Sequence, residues 1–518
     1  MKQSLKLSLV SLSLFGLLAG CSTTQYPVTD MQAINVEQNC QTSFWSDCVG
    51  YPFPVKYANT QDAKGINWQI AYMDEYRGTE PNPTTVVLIH GKGMHAGYYA
   101  EIMKDLLIQG YRVIAPDLPN YGKSIPGNLN NPVTRSLDDT RDAIHDLLAN
   151  QLKLQKAHFL GHSMGGQWVL GYALKYPSMV DKIVLEAPGG IEEFPTTVAN
   201  IPFFGEAQAD SYEAWSKIWG GMLKTEQAKT AQDIELFNYF KAKNPKTGTI
   251  MDSPAGYFLV ETPVTDYITH TRQYMIDASP EEFAAWTQTY IRDVYSMGEE
   301  VRIDDPNSLV KRIAQIEAPI LITYGAKEPF IPTTIFSGKQ NLKWDVIKPV
   351  YDALAANGNA PTVKVYPDAG HFIHTDIPTQ FNQDVINYLA DKRLANADNV
   401  KKYKAPLITP PEEVQVFFDA FKKDLLKQDK TAIANYYAND FMENGFDKNS
   451  FLAVLYSQMK NVKDYKVSLV KFEQDKATPG EYFIEGMVDL GLMKVPFKPE
   501  SKVRKTEQGW QWLGNRKS

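Results

Sequence analysis

Several features that would assign this chain to other classes of protein are scarce or missing. The formal net charge is −7, so the chain lacks the excess of positive charge that nucleic-acid-binding proteins use, and nucleic acid is not expected as a partner. It has no extended low-complexity tract and no internal repeat at the periods of solenoid proteins. All 8 histidines precede Thr375, which excludes histidine-based catalysis from the remainder of the chain.

The composition that is present is ordinary for a globular protein. Hydrophobic residues make up 43% and charged residues 22% of the chain, so well-buried cores are expected. A length of 518 residues exceeds what one core usually serves and suggests two or three domains.

The apolar run near the N-terminus is too short to cross a bilayer. It extends from Leu7 to Leu18, whereas a membrane-spanning helix needs about 20 residues. Two lysines precede it and Leu18-Ala19-Gly20-Cys21 ends it, which is the pattern of a secretory signal. The Leu-Ala-Gly-Cys sequence resembles the bacterial lipobox, which implies removal of residues 1–20 and a lipid on Cys21. We therefore expect an envelope lipoprotein. The resemblance to lipoprotein sorting implies that Ser22, the residue after Cys21, is consistent with the outer membrane, facing the periplasm or the cell surface. A plain signal peptide is the alternative.

The two remaining cysteines, Cys40 and Cys48, lie in an N-terminal tether and extension assigned to residues 21–61. An exported compartment permits disulfides, so we expect them to pair, with two free thiols as the alternative. Closing a loop this short stabilises a fold by roughly 2–3 kcal/mol, enough to hold an extension in place.

Strand and helix patterns alternate through residues 62–395. The β-branched run Thr85–Ile89 is typical of a strand buried on both faces of a parallel sheet. Similar strands are predicted at 111–115, 158–160, 183–185, 319–324 and 363–366, with helices at 98–109, 137–152 and 379–394. This order predicts a doubly wound, mostly parallel α/β sheet whose chemistry lies in loops at the carboxyl ends of the strands.

About 130 mostly helical, aromatic-rich residues interrupt the alternation and predict a cap over the site, at about 189–315. Its aromatic side chains either line an apolar acyl pocket or fill the cap's own core. They are Phe203, Phe204, Trp215, Trp219, Phe237, Tyr239, Phe240 and Tyr257.

A proline-containing linker, residues 396–411, separates the last unit, residues 412–518. Helices are predicted there at 412–427, 431–438 and 448–460, and strands at 464–473, 481–488 and 503–513, which together give an α+β cone. With Phe441–Gly445 and Trp510–Asn515, the pattern resembles the NTF2-like (SnoaL-like) domains. That resemblance implies an accessory role, in substrate presentation or in homo-oligomer formation, more than a second enzyme.

The residues Gly161-His162-Ser163-Met164-Gly165-Gly166 lie between a strand and an apolar helix. In a G-x-S-x-G turn the serine is exposed on a strained strand-to-helix corner, and small flanking residues allow close packing. This context predicts that Ser163 is a nucleophile rather than part of a simple glycine-rich turn.

A serine hydroxyl needs a neighbouring base, and His371 follows the last predicted strand of the sheet. His374, three residues later, is the structural alternative. The order serine, acid, histidine along the chain is the one expected when a nucleophilic serine lies on a strand-to-helix turn of such a sheet.

The third group must be a carboxylate that orients His371. Glu328 follows the strand at 319–324 and is the preferred acid. Glu186 is the competing acid, at the end of the preceding strand, while Asp368 is too close to His371 in sequence to reach its far nitrogen easily.

The negative charge of the transition state requires two donors. The backbone N–H of Met164 and that of Lys92, in the loop His90–Gly93, are the expected oxyanion hole, each worth about 2.7–4 kcal/mol of barrier. His90 itself is expected to brace the loop.

Together these segments resemble the α/β-hydrolase superfamily, and Leu88–His95 followed by Tyr98 and Tyr99 is similar to the monoacylglycerol lipase branch of serine hydrolases. The resemblance implies cleavage of small-molecule or lipid acyl esters through a Ser–His–Glu triad, with no cofactor and no metal. Two residues depart from the family pattern: Glu328 replaces the usual aspartate, and Asn120 replaces a usual glycine. Amide, peptide or carbon–carbon bond cleavage and a non-catalytic scaffold are the alternatives.

Overall fold

A computed structural model gives the structure of the chain. It describes residues 25–124, 136–194, 258–260, 262–278, 280–333, 337, 339, 341–404, 408–443, 446–490, 494–497 and 500–515.

An eight-stranded sheet forms the centre of the first unit. Its strands are β1 Val55–Gln61, β2 Asn67–Glu75, β3 Thr85–Ile89, β4 Arg112–Pro116, β5 Ala157–His162, β6 Val180–Glu186, β7 Ile320–Gly325 and β8 Thr362–Tyr366. Their order is β1-β2-β4-β3-β5-β6-β7-β8. The sheet is parallel from β4 to β8, and β1 and β2 join it antiparallel.

Helices of this unit precede the predicted cap at about 189–315, lie within it and follow it. They are α1 Ala100–Ile108, α2 Leu137–His145, α3 Met164–Lys175, α4 Pro263–Ala278, α5 Pro280–Glu300, α6 Leu309–Arg312, α7 Lys348–Ala356, α8 Ile373–Asp376 and α9 Pro378–Leu389. Ser136 begins α2 with a capping box, in which its hydroxyl accepts from the Asp139 backbone and Asp139 accepts from the Ser136 backbone. After His145 the helix continues as a π-helix, Asp146–Gln151.

Every residue of β3 and β5 is buried, and so is every residue of β4 except the half-buried Arg112. That is the burial expected of parallel strands covered on both faces by helices, and it agrees with the continuous apolar sequence. The predicted mostly parallel α/β sheet is therefore confirmed. Strands β1 and β2 were not predicted, and the sheet begins earlier than residue 62 because β1 is its edge strand.

The C-terminal region has its own helices and strands. They are α10 Glu412–Leu426, α11 Lys430–Asn435, β9 Met442–Glu443, β10 Phe446–Asp447, α12 Lys448–Gln458, β11 Lys466–Gln474, β12 Glu481–Asp489, β13 Lys494–Phe497, β14 Lys502–Thr506 and β15 Gly509–Gly514. An aromatic core that includes Phe417, Phe421 and Trp512 packs against the sheet formed by β11 to β15.

The predicted single strand at 503–513 is wrong. The chain turns at Glu507 and Gln508, so that β14 and β15 pair as an antiparallel hairpin. Gly509, with a φ of +119°, occupies a backbone conformation that L side chains rarely adopt, and this supplies the turn. The region is a separate, β-rich unit.

Candidate active site

Ser163 lies at the corner between β5 and α3. Its φ of 56° and ψ of −118° are uncommon for a residue with a side chain, and such strain concentrates at functional sites. Glycines permit the corner: a Cβ on Gly165 would lie 2.1 Å from the carbonyl oxygen of Ile89 in β3. The chain thus presents Ser163 at the carboxyl edge of the sheet.

His371 and Glu328 form a hydrogen-bonded pair after the neighbouring strands β8 and β7. The Nδ1 of His371 lies 2.9 Å from Oε2 and 3.0 Å from Oε1 of Glu328. Only 7% and 1% of the two side chains are exposed. The backbone N–H of Phe330 donates to Oε1 of Glu328 at 2.9 Å, which fixes the carboxylate in place.

His162 links the nucleophile strand to His371. Its Nε2 lies 3.0 Å from the carbonyl oxygen of His371 and must donate, since a carbonyl only accepts. Nδ1 of His162 therefore accepts from the Tyr98 hydroxyl, 3.0 Å away, and that hydroxyl accepts from the N–H of Gly91 at 3.1 Å. Burial holds the pKa of His162 well below its usual range, so the ring is neutral. This chain of bonds joins the loop after β3 to the backbone of His371.

Glu186, the competing acid, has a different partner. Its carboxylate accepts from Nδ1 of His374 at 2.8 Å and from the His374 backbone N–H at 2.8 Å. Both side chains are buried. The structure therefore brings together two separate glutamate–histidine pairs, and Glu186 does not contact His371 through its carboxylate.

The loop after β3 is braced by His90. The backbone N–H of Leu118 donates to its Nε2 at 2.9 Å, so Nδ1 carries the proton and donates to the carbonyl of Gly91 at 2.8 Å. Burial lowers the pKa of His90 to about 4 and keeps it neutral. Lys92 follows in this loop, and its side chain reaches up to the Tyr290 hydroxyl in α5, at 2.8 Å.

A second loop, after β4, supports the first. Asp117 is buried and accepts from the N–H groups of Ala96 and Lys123 and from the Tyr51 hydroxyl, at 2.7–2.8 Å. Burial nevertheless raises its pKa to about 6. Asn120, which stands where the family usually has glycine, has a φ of 63°. Asparagine is among the side chains that best tolerate this left-handed region, so the departure preserves the turn.

Helix α5 covers the site. Tyr290, Asp293 and Met297 are spaced along one face of it, and the Met297 methyl group lies against Gly189, whose N–H donates to the Ser163 carbonyl at 2.9 Å. Burial raises the pKa of Asp293 to about 7.

Several predicted residues lie outside the described part of the chain. They are the cap aromatic residues proposed to line the pocket, Phe203 to Tyr257, together with Cys21 and the signal sequence.

The predicted N-terminal tether and extension, residues 21–61, includes a disulfide-closed loop that packs beside the site. A disulfide joins Cys40 and Cys48. Phe44 donates its N–H to Glu282 of α5 at 2.7 Å, and the Tyr267 hydroxyl of α4 donates to the carbonyl of Gly50 at 2.7 Å. Phe44 and Trp45 were the sequence signal for this packing, because two large aromatic side chains inside a short disulfide loop are seldom left in solvent.

Over the described ranges, no helix is long and apolar enough to cross a membrane. In the same part of the chain, no cluster of three or more histidine, cysteine or carboxylate side chains is arranged to hold a metal ion.

Comparison with known proteins gives one family and distant relatives. The sequence model of the alpha/beta hydrolase fold family matches residues 84–378. The 2-hydroxy-6-oxononadienedioate/2-hydroxy-6-oxononatrienedioate hydrolase of Comamonas testosteroni is 24% identical over 340 residues, covering 64% of this chain and 95% of the relative. The 2-hydroxy-6-oxo-6-phenylhexa-2,4-dienoate hydrolase of Burkholderia cepacia is 23% identical over 336 residues, with coverage of 64% and 95%. Among solved structures, an esterase from Exiguobacterium antarcticum matches 65% of this chain and 100% of its own with a TM-score of 0.43 and 20% identity.

Proposed function

Because this chain belongs to the α/β-hydrolase family, we propose that it is a serine hydrolase that cleaves carboxylic acyl esters through Ser163, His371 and Glu328. The proposal is supported most directly by the 2.9 Å pair of His371 and Glu328, together with the bond from His162, the residue before Ser163, to the His371 carbonyl at 3.0 Å. In this role Nδ1 of His371 carries the proton toward Glu328, and Nε2 is free to take the proton of the Ser163 hydroxyl.

The reaction proceeds in two steps. The Ser163 oxygen attacks the ester carbonyl carbon while His371 takes the hydroxyl proton, and the alcohol leaves with that proton. Water then attacks the acyl-enzyme, again deprotonated by His371, and the acid leaves as Ser163 recovers its proton. The Glu328 carboxylate stabilises the imidazolium in both steps.

The backbone N–H groups of Lys92 and Met164 are proposed as the oxyanion hole. Met164 is the first residue of α3, so its N–H is one of the helix N-terminal donors without an intrahelical acceptor. The His90 brace and the Tyr98–Gly91 bond hold the loop that carries Lys92. A donor fixed before the reaction costs no reorganisation when charge develops on the carbonyl oxygen.

Carbon–carbon bond hydrolysis is the second candidate, because the curated relatives at 23–24% identity are hydrolases of hydroxy-oxo-dienoates. Those compounds contain no ester or amide bond. The same nucleophile, base and oxyanion donors serve an attack on a ketone carbonyl, so the triad alone does not separate the two reactions.

The test is a substrate panel: p-nitrophenyl esters from acetate to palmitate beside a 2-hydroxy-6-oxo-dienoate, with wild type and Ser163→Ala. Ester turnover that disappears in Ser163→Ala, with no turnover of the dienoate, supports the esterase, and the chain-length optimum measures the acyl pocket. Turnover of the dienoate without ester turnover would replace the esterase proposal with carbon–carbon bond hydrolysis.

We propose that Cys21 carries lipid and anchors the protein in the bacterial envelope, because the Leu-Ala-Gly-Cys sequence follows an apolar run.

We also propose that residues 412–518 form an NTF2-like domain. Its two opening helices and its β-rich half with an aromatic core support this assignment.

A further inference from the structure

The N-terminal segment fixes where a lipid on Cys21 would emerge from the molecule. The first described contacts of the chain are at the edge of the sheet where the parallel strands begin, opposite the edge that carries Ser163. The Tyr26 N–H donates to the carbonyl of Ile108, the last residue of α1, at 2.9 Å. The Tyr26 ring lies against Gly110, in the turn that leads into the start of β4.

A second contact holds the same segment. The Asp30 carboxylate pairs with the Arg77 guanidinium at 2.7 Å, just beyond the end of β2 at Glu75. Because β2 is antiparallel to β4 and Glu75 pairs with Val113, this end of β2 lies at the amino edge of the parallel strands. Residues 26–30 therefore follow the amino edge, and only later does the chain rise to the carboxyl edge, where Tyr51 meets Asp117.

We infer that the amino edge of the sheet faces the bilayer and that the active site opens away from it. The inference rests on the proposed anchor at Cys21 and not on the ester reaction.

Simple lengths exclude the opposite orientation, in which the mouth of the site would face the bilayer. Cys21 is five residues from Tyr26, and a fully extended chain spans about 3.3–3.6 Å per residue, so the tether reaches about 18 Å at most. Strand β5 has 6 residues. At about 3.3 Å per residue its length separates the two edges of the sheet by about 20 Å. Helix α5 adds the thickness of one helix, about 10 Å, above the carboxyl edge. A mouth pressed against the bilayer would require a tether of about 30 Å from Tyr26, which five residues cannot provide.

An enzyme held in this way takes its ester from water, or from a surface facing its own membrane, rather than from the leaflet in which it is anchored.

Two cysteine variants of the full-length, lipidated chain test the orientation. Gln155→Cys places a thiol at the exposed amino edge, just before β5. Asp368→Cys places one at the carboxyl edge after β8, where the native side chain is 84% exposed. Cys40 and Cys48 are joined in a disulfide, so a maleimide fluorophore labels the introduced thiol. In vesicles of phosphatidylcholine with nitroxide-labelled headgroups, we expect quenching of the probe at 155 to exceed that at 368 by several fold.

Equal quenching at the two positions, or stronger quenching at 368, would overturn the orientation, as would an intact mass without lipid on Cys21.

A longer tether provides a second test. An insertion of n flexible Gly/Ser residues spans roughly 5–6 Å × √n. An insertion of about 20 such residues after Ser22 should raise the hydrolysis rate of a bilayer-resident ester several fold while leaving the hydrolysis rate of a water-soluble ester unchanged. No change with the bilayer ester, in an enzyme active on the soluble one, contradicts the tether argument. An enzyme inactive on both would instead contradict the proposed function, and the quenching result would stand by itself.

Discussion

His371 lies with its Nδ1 2.9 Å from Glu328, and the next histidine, His374, makes an equivalent bond to Glu186 at 2.8 Å. Because each glutamate is hydrogen-bonded to its own histidine, substituting the two glutamates one at a time distinguishes their roles. We predict that Glu328→Gln lowers kcat by about 10³–10⁴-fold, since the wrong tautomer of His371 becomes favoured. Glu328→Asp should retain more activity than Glu328→Gln.

Glu186→Gln is the matched control. It weakens two buried hydrogen bonds to His374, so we expect the free energy of unfolding to fall by about 1–3 kcal/mol, with a much smaller loss of kcat. Urea denaturation and steady-state kinetics on both variants provide the readout. A larger loss of kcat in Glu186→Gln than in Glu328→Gln would make Glu186 the catalytic acid.

The Cys40–Cys48 disulfide closes a short loop whose neighbours are the cap helices. Replacing both cysteines by serine should lower the free energy of unfolding by about 2–3 kcal/mol, because the unfolded chain regains the entropy of that loop. Denaturant titration of the double variant against wild type measures it, and reduction of the wild type with dithiothreitol should reproduce the change. An unchanged midpoint would show that the loop is held by its packing alone.

Asn120 tests the interpretation of the missing glycine. Asn120 has a φ of 63°. Because glycine also adopts this conformation, Asn120→Gly should change the free energy of unfolding by no more than a few tenths of a kcal/mol. The β-branched side chain of Asn120→Val should lower the free energy of unfolding by about 1–2 kcal/mol. Thermal unfolding of the pair decides it. Equal stability of the two variants would mean that the backbone at this position relaxes without strain.

Asp293 gives a pH-dependent prediction. Burial raises its pKa to about 7, so between about pH 4 and pH 7 the folded state keeps a proton that the unfolded state releases, and the free energy of unfolding falls as pH rises. Asp293→Asn removes this loss and should be more stable than wild type at pH 8, by up to about 4 kcal/mol, but similar at pH 4. Urea midpoints at the two pH values measure the difference. A wild-type advantage at pH 8 would show that the ionised carboxylate is stabilised by its surroundings.

The sequence predicted the centre of the fold because parallel strands buried on both faces are continuously apolar, as in Thr85–Ile89. It missed β1 and β2, whose polar and apolar residues alternate at the sheet edge; β1 falls within the segment assigned to an N-terminal tether and extension. The hairpin of β14 and β15 was missed because a turn at Glu507–Gln508 lacks a strong signal before Gly509.

For the site, spacing after each strand was enough to propose Ser163, His371 and Glu328, because strand ends in a parallel sheet meet at one edge. The Glu186–His374 pair and the Tyr98–His162 bond were not predicted. Both depend on side-chain positions fixed by packing between distant segments, which no local pattern records.

The central claim is that Ser163 is an activated nucleophile. Incubation with a fluorophosphonate probe followed by intact-mass and peptide analysis tests it without a known substrate. We predict one adduct, on Ser163, absent in Ser163→Ala and slowed in Glu328→Gln. A wild-type protein that stays unmodified, or an adduct that persists in Ser163→Ala, would contradict the account.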